Sequence, residues 1–416
     1  MSASPAGAPE LPPGAYVLAL SCLPGAAPQW VRGVVEAHGP AEAWRRVVGG
    51  GARPQRVGAR GLAAWQAAVS GTDVAALWRR CGDAGISVLW PGGPCYPASL
   101  QGGRLPGGPL FVLGSPGALS AAPTVAVVGT RRCTPEGLSV AYELGRDLAA
   151  AGVTVVSGLA LGIDGAAHGG ALAARRPLAA PTVGVAASGV DVVYPRRHRA
   201  LWSEIGRWGA VVSETAPGSP AQAWRFPARN RIIAGLAQVV VVVESHLRGG
   251  SWHTVDAALE AGKEVAAFPG PVRSPASAGT NRLLATGAAV VTSADDVLYL
   301  LDAGSRTSGR RPAARLHPRP PEDPPHPDVG ARARVSGSAM PRAQGCPPGP
   351  LPGRETPRPQ DALASALLAA LPRRPTCLDE LVERSRLPVG AALVALDCLE
   401  SAGLVAEDNG WWWRSG

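Results

Sequence analysis

An Arg-Asn-Arg triplet, Arg229 to Arg231, directly precedes the apolar run Ile232 to Leu236. Guanidinium groups donate hydrogen bonds in a planar fork that matches phosphate oxygens, so the triplet indicates an anion-binding site. Two aromatic residues, Trp224 and Phe226, lie just upstream. Either could stack on an unpaired base, although for Phe226 we favour packing beneath a sheet, where it would orient Arg229. The segment therefore predicts a polyanionic ligand.

Similar chemistry recurs in other candidate loops. Glycine-bearing corners follow five candidate strands, at Gly129-Thr-Arg-Arg132, Ser157-Gly158, Ala187-Ser-Gly189, Arg248-Gly-Gly-Ser251 and Pro269-Gly270. In an open parallel sheet, ligands bind outside the carboxyl ends of the strands, where helix N-termini point their N–H groups outward. The arginines expected to add phosphate contacts at this edge are Arg131, Arg132, Arg196, Arg197, Arg199, Arg225, Arg229 and Arg231.

Residues that could support catalysis have simpler structural explanations. The sequence contains no G-x-x-x-x-G-K-[ST] motif and no G-x-G-x-x-G after the first parallel strand, which argues against a P-loop and a dinucleotide site. Asp164 and His168 have the spacing of an acid–base pair, but helix capping by Asp164 explains it more simply. Glu214 and Glu244 end candidate strands, and an acid beside arginines usually orients them. We predict no catalytic residue and no cofactor.

The elements that must position these loops follow an α/β pattern. Seven β-branched runs alternate with helical segments: Thr124–Val128, Val153–Ser157, Thr182–Ala186, Ala210–Val212, Val239–Glu244, Val265–Ala267 and Ala289–Thr292. Their continuous apolar character is typical of strands that are buried on both faces. The pattern predicts an α/β fold with a doubly wound parallel sheet.

We divide the chain into four parts. Residues 1–110 predict a small helical domain, with a turn resembling the sterile-α-motif (SAM) or helix-hairpin-helix type, and 111–302 contain the sheet. Residues 303–360 are rich in Pro, Arg, Gly and Ser and predict a disordered linker. Residues 361–416 predict three helices and a hairpin, as in a winged helix. The third of these helices, 391–402, has no Arg, Lys or Asn. A contact between this domain and another protein is therefore at least as well supported as recognition of bases in a DNA duplex.

The overall composition indicates less about the class of protein than the positions of the charged residues do. The formal net charge is +9, but residues 303–360 hold ten arginines and four acids, so +6 lies in the linker. The seven cysteines form no C-x-x-C pair, so we predict neither a metal site nor a disulfide framework. No basic signal-peptide region begins the sequence, and its apolar runs fall short of the roughly 18 residues of a membrane span. We expect a cytoplasmic protein.

The central region resembles the DNA-processing protein DprA (Smf) family. The resemblance rests on ordered motifs: Val128-Gly-Thr-Arg131, Ser157-Gly-Leu-Ala-Leu-Gly-Ile-Asp164, Gly189-Val-Asp-Val-Val-Tyr-Pro195, Ser213-Glu214, Phe226-Pro-Ala-Arg-Asn-Arg-Ile-Ile233, Gly250-Ser251, Pro269-Gly270 and Gly279-Thr-Asn281. It implies an extended Rossmann-like fold. It also implies a recombination mediator and not an enzyme. Such a protein binds single-stranded DNA, forms a homodimer, protects incoming DNA during natural transformation and loads RecA onto strands covered by single-strand binding protein.

The resemblance also implies a DNA pocket in this chain. The matching positions are Gly129, Thr130, Arg131, Ser157, Gly158, Arg229, Asn230, Arg231, Gly250 and Ser251. Three places depart from the family pattern. Glu136 stands where a tyrosine is usual, Arg248-Gly249 replaces a Lys-Ser pair, and Trp252 replaces a leucine.

Two other functions compete with this prediction. A nucleoside phosphoribohydrolase of the lysine-decarboxylase-like class would share the sheet, and Gly249-Gly250 with Thr254 loosely resembles its phosphate corner. The spacing is one residue too long, however, and Ala257 stands where the catalytic glutamate would fall. A winged-helix transcription factor with a ligand-sensing domain is disfavoured by the apolar helix at 391–402. Release of free base from nucleoside monophosphates would support the enzyme.

Overall fold

The structure, a computed structural model, describes most of the chain. The described residues are 11–54, 57, 59–102, 104–121, 123–176, 180–307, 362–371, 376–387, 392, 395–396, 399, 404–408 and 411–414. Contacts divide the chain into two compact units, residues 1–311 and 312–416.

The first unit begins with helices, followed by two strands. These elements are α1 (Pro13–Cys22), α2 (Pro28–His38), α3 (Pro40–Val48), α4 (Ala59–Ser70), α5 (Val74–Asp83), β1 (Ile86–Leu89), α6 (Ala98–Gln101) and β2 (Leu110–Gly114). Proline occupies the first position of α1, α2 and α3, where its missing N–H costs no helical hydrogen bond. Trp44 and Trp65 are buried in the core that these helices form with β1 and β2.

An alternating α/β region follows. Its strands are β3 (Thr124–Val128), β4 (Thr154–Gly158), β5 (Thr182–Val185), β6 (Ala210–Ser213), β7 (Val239–Val242), β8 (Glu264–Ala267) and β9 (Ala289–Val290). Its helices are α7 (Pro135–Ala150), α8 (Ile163–Ala173), α9 (Arg199–Trp208), α10 (Arg225–Leu236), α11 (Trp252–Glu260), α12 (Ala278–Ala285) and α13 (Ala294–Thr307). All seven predicted strands are present.

The strands form one sheet in the order β1-β2-β6-β5-β4-β3-β7-β8-β9. From β6 to β9 every neighbouring pair is parallel, whereas β1 and β2 pair antiparallel at one edge. The chain winds outward from β3 to β6 and returns to β7 on the other side of β3. This reversal is the switch point at which open α/β sheets bind ligands.

Helices cover both faces of the sheet, as the prediction of a doubly wound fold requires. On one face, α7, α8 and α13 pack on Val125, Val127 and Val241. On the other face, α10, α11 and α12 pack on Ala126, Val128 and Val240. Because the strands are covered on both faces, their apolar residues do not alternate with polar ones.

The prediction of helices alone for residues 1–110 is incomplete. It misses β1 and the start of β2, which extend the sheet antiparallel to β6. Phe111 on β2 packs in one core with Val31, Val47 and Leu18 from the N-terminal helices. These helices therefore share a core with the edge of the sheet.

The second unit contains helices and a small sheet. Its described elements are α14 (Ala362–Ala370), β10 (Thr376–Cys377), α15 (Leu378–Ser385), β11 (Val405–Asp408) and β12 (Trp411–Arg414), with strand order β10-β12-β11. The predicted terminal hairpin is the antiparallel pair β11–β12. Most of the predicted third helix, 391–402, lies outside the described residues.

The start of the predicted linker differs from the structure, and the rest of the linker lies outside the described residues. Helix α13 continues to Thr307, five residues into the predicted linker. The structure does not describe residues 308–360 of that linker. Within the part of the chain that the structure describes, no helix is both long and apolar enough to cross a membrane.

Candidate nucleic-acid interface

An open crevice with a cavity volume of about 90 Å³ lies at the carboxyl ends of β3, β4 and β5. Cationic, aromatic and aliphatic side chains form its walls. They are Arg131, Leu159, Ala160, Leu161, Ala187, Tyr194, Pro195, Phe226 and Arg229. The structure thus brings Arg131 and Arg229, which are 98 positions apart in the sequence, into one site.

The loop after β3 presents Arg131 to solvent. Gly129 is required at its start, because a Cβ there would lie 2.6 Å from the Ile163 side chain and 2.7 Å from the Glu244 carbonyl oxygen. The Thr130 N–H donates to that same carbonyl at 2.8 Å, which fixes the turn. Arg131 is exposed, and its guanidinium lies 5.3 Å from the centre of the Phe226 ring.

Aromatic rings form one wall of the crevice. Phe226 and Tyr194 lie 5.4 Å apart between ring centres, so Phe226 packs against the crevice wall and not beneath the sheet as predicted. Trp224 is 63% exposed, and its indole N–H donates to the Gln222 side chain at 2.9 Å. The Arg225 guanidinium lies 5.2 Å from the Trp224 ring. Each ring has a guanidinium beside it, but Trp224 is the more exposed of the two.

Arg229 forms the inner end of the crevice. It lies on the second turn of α10, and its Nη1 donates to the carbonyl oxygen of Val185 at the end of β5. Burial lowers the pKa of this guanidinium to about 10, so it remains charged at neutral pH. A Cβ on Gly158 would lie 2.7 Å from Nη2, so only glycine leaves room for the guanidinium. The residue as a whole is half-buried.

Asp164 is buried on the other side of Gly158. A Cβ on Gly158 would also collide with the Oδ2 atom of Asp164. This oxygen accepts a hydrogen bond from the Ala160 N–H at 3.4 Å. Burial raises the pKa of Asp164 to about 6, against the opposing effect of the Arg229 charge. The predicted cap is wrong, because α8 begins after Gly162 without any side-chain cap. Asp164 instead places a carboxyl group beneath the crevice.

His168 is buried and tied to the sheet. Its Nε2 lies 2.7 Å from the Gly158 carbonyl oxygen, which can only accept, so this nitrogen carries the proton. Its Nδ1 lies 2.6 Å from the Thr182 hydroxyl. Burial lowers the pKa of His168 to about 4, so the ring is neutral at physiological pH. The ring supports the end of β4.

Arg231 makes internal contacts. Its Nη2 forms an ion pair with Glu214, and its Nη1 donates to the Pro106 carbonyl oxygen at 2.7 Å. Glu214 also accepts a hydrogen bond from the Gly108 N–H at 2.5 Å. The pair therefore joins α10 to the segment before β2, as expected for a carboxylate that orients an arginine. These internal partners occupy the Arg231 side chain, so the function proposed below rests on Arg131 and Arg229 and not on Arg231.

The other predicted pocket residues differ in accessibility. Ser157 is buried and donates to the Val127 carbonyl oxygen at 2.5 Å. Ser251 is also buried, with its hydroxyl 2.8 Å from that of Ser245. Asn230 donates to the Gly250 carbonyl oxygen at 3.3 Å, and a Cβ on Gly250 would meet open space. A ligand at these positions would therefore contact backbone and the Asn230 amide and not the serine hydroxyls.

One helix N-terminus beside the crevice is already occupied. Glu244 accepts hydrogen bonds from the N–H and hydroxyl of Thr134, at 2.9 and 2.6 Å, and Thr134 in turn caps α7. This carboxylate occupies the anion site that the helix would otherwise offer. The N-termini of α10 and α11 have no side-chain cap.

Sequence reasoning missed two contributors to the crevice. Tyr194 was quoted within a motif but given no role, yet its exposed ring lies beside Phe226. Leu161, on the loop after β4, also lines the crevice. Their proximity depends on loops that follow different strands, so no local pattern could have revealed it. The exposed residues Arg196, Arg197 and Arg199 follow Tyr194 along the chain.

Two observations bear on the phosphoribohydrolase alternative. No group of three His, Cys, Asp or Glu side chains among them could hold a metal ion. Ala257, which stands where the phosphoribohydrolase class has its glutamate, is buried in the core on α11.

Comparison with known families identifies the class of protein. A sequence profile described as DNA recombination-mediator protein A matches residues 87–302, which include every residue that lines the crevice. A second profile, the DprA winged helix domain, matches residues 352–410. The chain therefore belongs to the DNA recombination-mediator protein A family, also called DprA or Smf. The expected fold, an extended Rossmann-like domain with a C-terminal winged helix, is confirmed.

Individual relatives agree with this assignment. A Mycobacterium tuberculosis protein that bears the DprA name is 45% identical over 187 residues, which is 45% of this chain and 47% of that protein. The chain thus matches about half the length of this relative. Protein Smf of Synechocystis is 32% identical over 77% of this chain and 78% of its own length. The crystal structure of DprA from Streptococcus pneumoniae superposes with a TM-score of 0.58 at 32% identity, over 70% of this chain and 98% of that chain.

Proposed function

We propose that the crevice binds single-stranded DNA. The observation that carries this proposal is the combination of the exposed Arg131 guanidinium, the Tyr194–Phe226 wall and the buried charge of Arg229 in one open site. A backbone phosphate would meet the guanidinium groups, which bind it through charge-assisted hydrogen bonds. Membership of a DNA recombination-mediator family supports the choice of DNA among polyanions.

Aromatic residues beside the cations favour a single strand over a duplex. In a duplex the base faces are already stacked on each other, so an exposed ring gains little from them. In a single strand each base offers a face, and stacking contributes about 1–3 kcal/mol per base. Trp224 has its ring open to solvent within the turn that leads into α10. We assign it the role of a stacking platform, two positions before Phe226 of the crevice wall.

The backbone shape of the crevice supports phosphate contact at the predicted glycines. Gly250 is exposed with open space beside it, whereas Gly129 and Gly158 let Ile163 and the Arg229 guanidinium pack against the backbone. Thr130, Ser157, Asn230 and Ser251 lie next to these three glycines or, for Asn230, within hydrogen-bond distance of one of them. Such contacts do not depend on base identity, so we infer binding without strong sequence preference.

We further infer that the protein is a homodimeric recombination mediator in the cytoplasm. On this proposal it protects incoming single strands during natural transformation and loads RecA onto strands covered by single-strand binding protein. The support is the family membership and the proposed strand-binding crevice. If RecA assembly on such covered strands is not accelerated by the protein, the mediator role fails although strand binding would stand.

The binding proposal is tested by measuring affinity for a single strand and for a duplex of equal length over a salt series. We expect tighter binding of the single strand, with log K falling linearly with log salt by about 0.7 per phosphate contact. A suitable control is Arg104→Ala/Arg282→Ala, which removes two exposed charges outside the crevice and should leave affinity unchanged. Equal or tighter binding of the duplex would contradict the proposal.

A further inference from the structure

A second cationic surface lies around Trp208, at the end of α9. The Arg175 guanidinium lies 5.1 Å from the centre of the Trp208 ring, and the Arg207 guanidinium lies 5.5 Å from it. Arg176 is exposed next to Arg175. We call these four residues, Arg175, Arg176, Arg207 and Trp208, the Trp208 patch. Both guanidinium groups lie over the half-buried indole, whose ring attracts each of them.

The charges of the Trp208 patch are not neutralised within the described part of the chain. No carboxylate there lies within 4.0 Å of Arg175, Arg176 or Arg207, whereas Arg231, Arg146 and Arg32 each have such a partner. Arg175 donates to the Leu172 carbonyl oxygen at 2.9 Å, so one of its donors stabilises the end of α8. That bond uses one of five guanidinium N–H groups and accounts for neither Arg176 nor Arg207.

The Trp208 patch and the crevice lie at opposite ends of one helix. Helix α9 connects two parallel strands, β5 and β6, so its first residue lies at the carboxyl edge of the sheet and its last at the amino edge. The exposed residues of α9 are Arg199, Ala200, Ser203 and Arg207. At about 100° per residue they fall within one sector of the helix, and that sector contains no carboxylate.

The length of this surface suits an extended strand. Arg199 and Arg207 are eight residues apart, which corresponds to about 12 Å along the helix axis. Arg196 and Arg197 continue the positive surface from Arg199 to Tyr194 in the crevice wall. A basic track on one face therefore joins the two sites.

We infer that single-stranded DNA leaving the crevice follows the exposed face of α9 and places backbone phosphates on Arg175 and Arg207. This inference rests on the proposed binding of single strands in the crevice. It adds a second contact region, at the amino edge of the sheet, which only strands longer than the crevice can reach. Charge complementarity and continuity with the crevice identify the occupant as the same strand.

The test compares wild type with Arg175→Ala/Arg207→Ala, using oligothymidylates of about 6 and about 20 nucleotides, which bracket the typical size of single-strand sites. For the long strand we expect roughly tenfold weaker binding near 0.15 M salt and a salt slope reduced by about 1.4, from two lost phosphate contacts. For the short strand we expect no change. The melting temperature of the variant reports whether it is folded.

Two further variants keep the test specific. Arg175→Lys/Arg207→Lys retains both charges and should retain the wild-type salt slope. Arg104→Ala/Arg282→Ala removes the same charge from elsewhere on the unit and should bind both strands as wild type does. Unchanged binding of the long strand by Arg175→Ala/Arg207→Ala would overturn the inference, as would equal weakening for both lengths. If wild type binds neither strand, or if crevice variants bind normally, the proposed function itself fails.

Discussion

The two sides of α10 contrast sharply, although Arg229 and Arg231 lie only two positions apart on it. Arg229 enters the open crevice and reaches the end of β5. Arg231 points away and is held by Glu214 and the Pro106 carbonyl. Residues two apart on a helix are about 200° apart around its axis, so the helix itself separates them. One motif therefore supplies both a ligand-facing cation and an internal tie.

The contrast teaches that an arginine cluster in sequence is not necessarily a cluster in space. The triplet indicates a joint site only if it lies in a loop before the helix. The helix begins at Arg225, however, so the triplet lies within its first two turns. Arg131, from a different loop, replaces Arg231 as the neighbour of Arg229 in the crevice.

The largest effect is expected from emptying the crevice of charge. Arg131→Ala/Arg229→Ala should abolish stable complexes with single-stranded DNA, because both cations that line the crevice are lost. Electrophoretic mobility and fluorescence anisotropy would measure the binding. Since Arg229 is half-buried, circular dichroism and the melting temperature must confirm folding, and Arg131→Ala/Arg229→Gln offers a polar replacement. Wild-type affinity in a folded double variant would move the site elsewhere.

A smaller loss is expected from Trp224, the exposed aromatic residue at the start of α10. Trp224→Ala should weaken single-strand binding by about 1–3 kcal/mol, because one stacking platform is removed. The salt slope should not change, since no phosphate contact is lost. Trp224→Phe, which keeps a ring, should retain much of the affinity. If Trp224→Ala changed the salt slope but left the affinity for a single strand unchanged, the assigned role would be contradicted.

On the other side of α10, the expected effect is on stability. Glu214→Ala should lower the free energy of unfolding by about 2–3 kcal/mol, because it leaves the half-buried Arg231 without its partner. Denaturant unfolding measures this directly. Glu42→Ala is the control, because its ion pairs with Arg45 and Arg46 are exposed and should contribute under about 1 kcal/mol. Equal effects of the two substitutions would contradict the structural role of the Glu214 pair.

The smallest effect concerns Asp164, whose raised pKa of about 6 lies near the physiological range. A bound phosphate would raise this pKa further, so DNA binding should take up protons. Affinity should then increase by roughly fivefold as the pH falls from about 7.5 to 5.5, for a further shift of about one unit. His198, His168, Arg131 and Arg229 also face this region. Asp164→Asn should flatten the pH profile of the affinity. If the profile of this variant were unchanged, the pH dependence would belong to another group.

Much of the fold could be predicted from the sequence because buried parallel strands are continuous apolar runs. All seven such runs from Thr124 to Val290 are strands in the structure. The edge strand β1, Ile-Ser-Val-Leu, is four residues long and follows a series of helices, so its pattern was too short to stand out. Its pairing with β2 is a tertiary contact that no local pattern specifies.

The candidate site was predictable in its location but less so in its contacts. Glycines such as Gly129 and Gly158 mark the carboxyl edge of the sheet, and the structure shows why a side chain would not fit. The role of Phe226 depended on Tyr194, which belongs to a loop 32 positions earlier. The burial of Asp164 likewise depends on the loops packed above it. Such relations arise only when the loops converge.

The central claim is that Arg229 serves the ligand whereas Arg231 serves the fold. It is tested most directly by measuring the salt dependence of single-strand binding for wild type, Arg229→Ala and Arg231→Ala under conditions in which all three are folded. We predict that the slope falls by about 0.7 for Arg229→Ala and is unchanged for Arg231→Ala. An equal reduction for both variants, or a reduction for Arg231→Ala alone, would contradict the account.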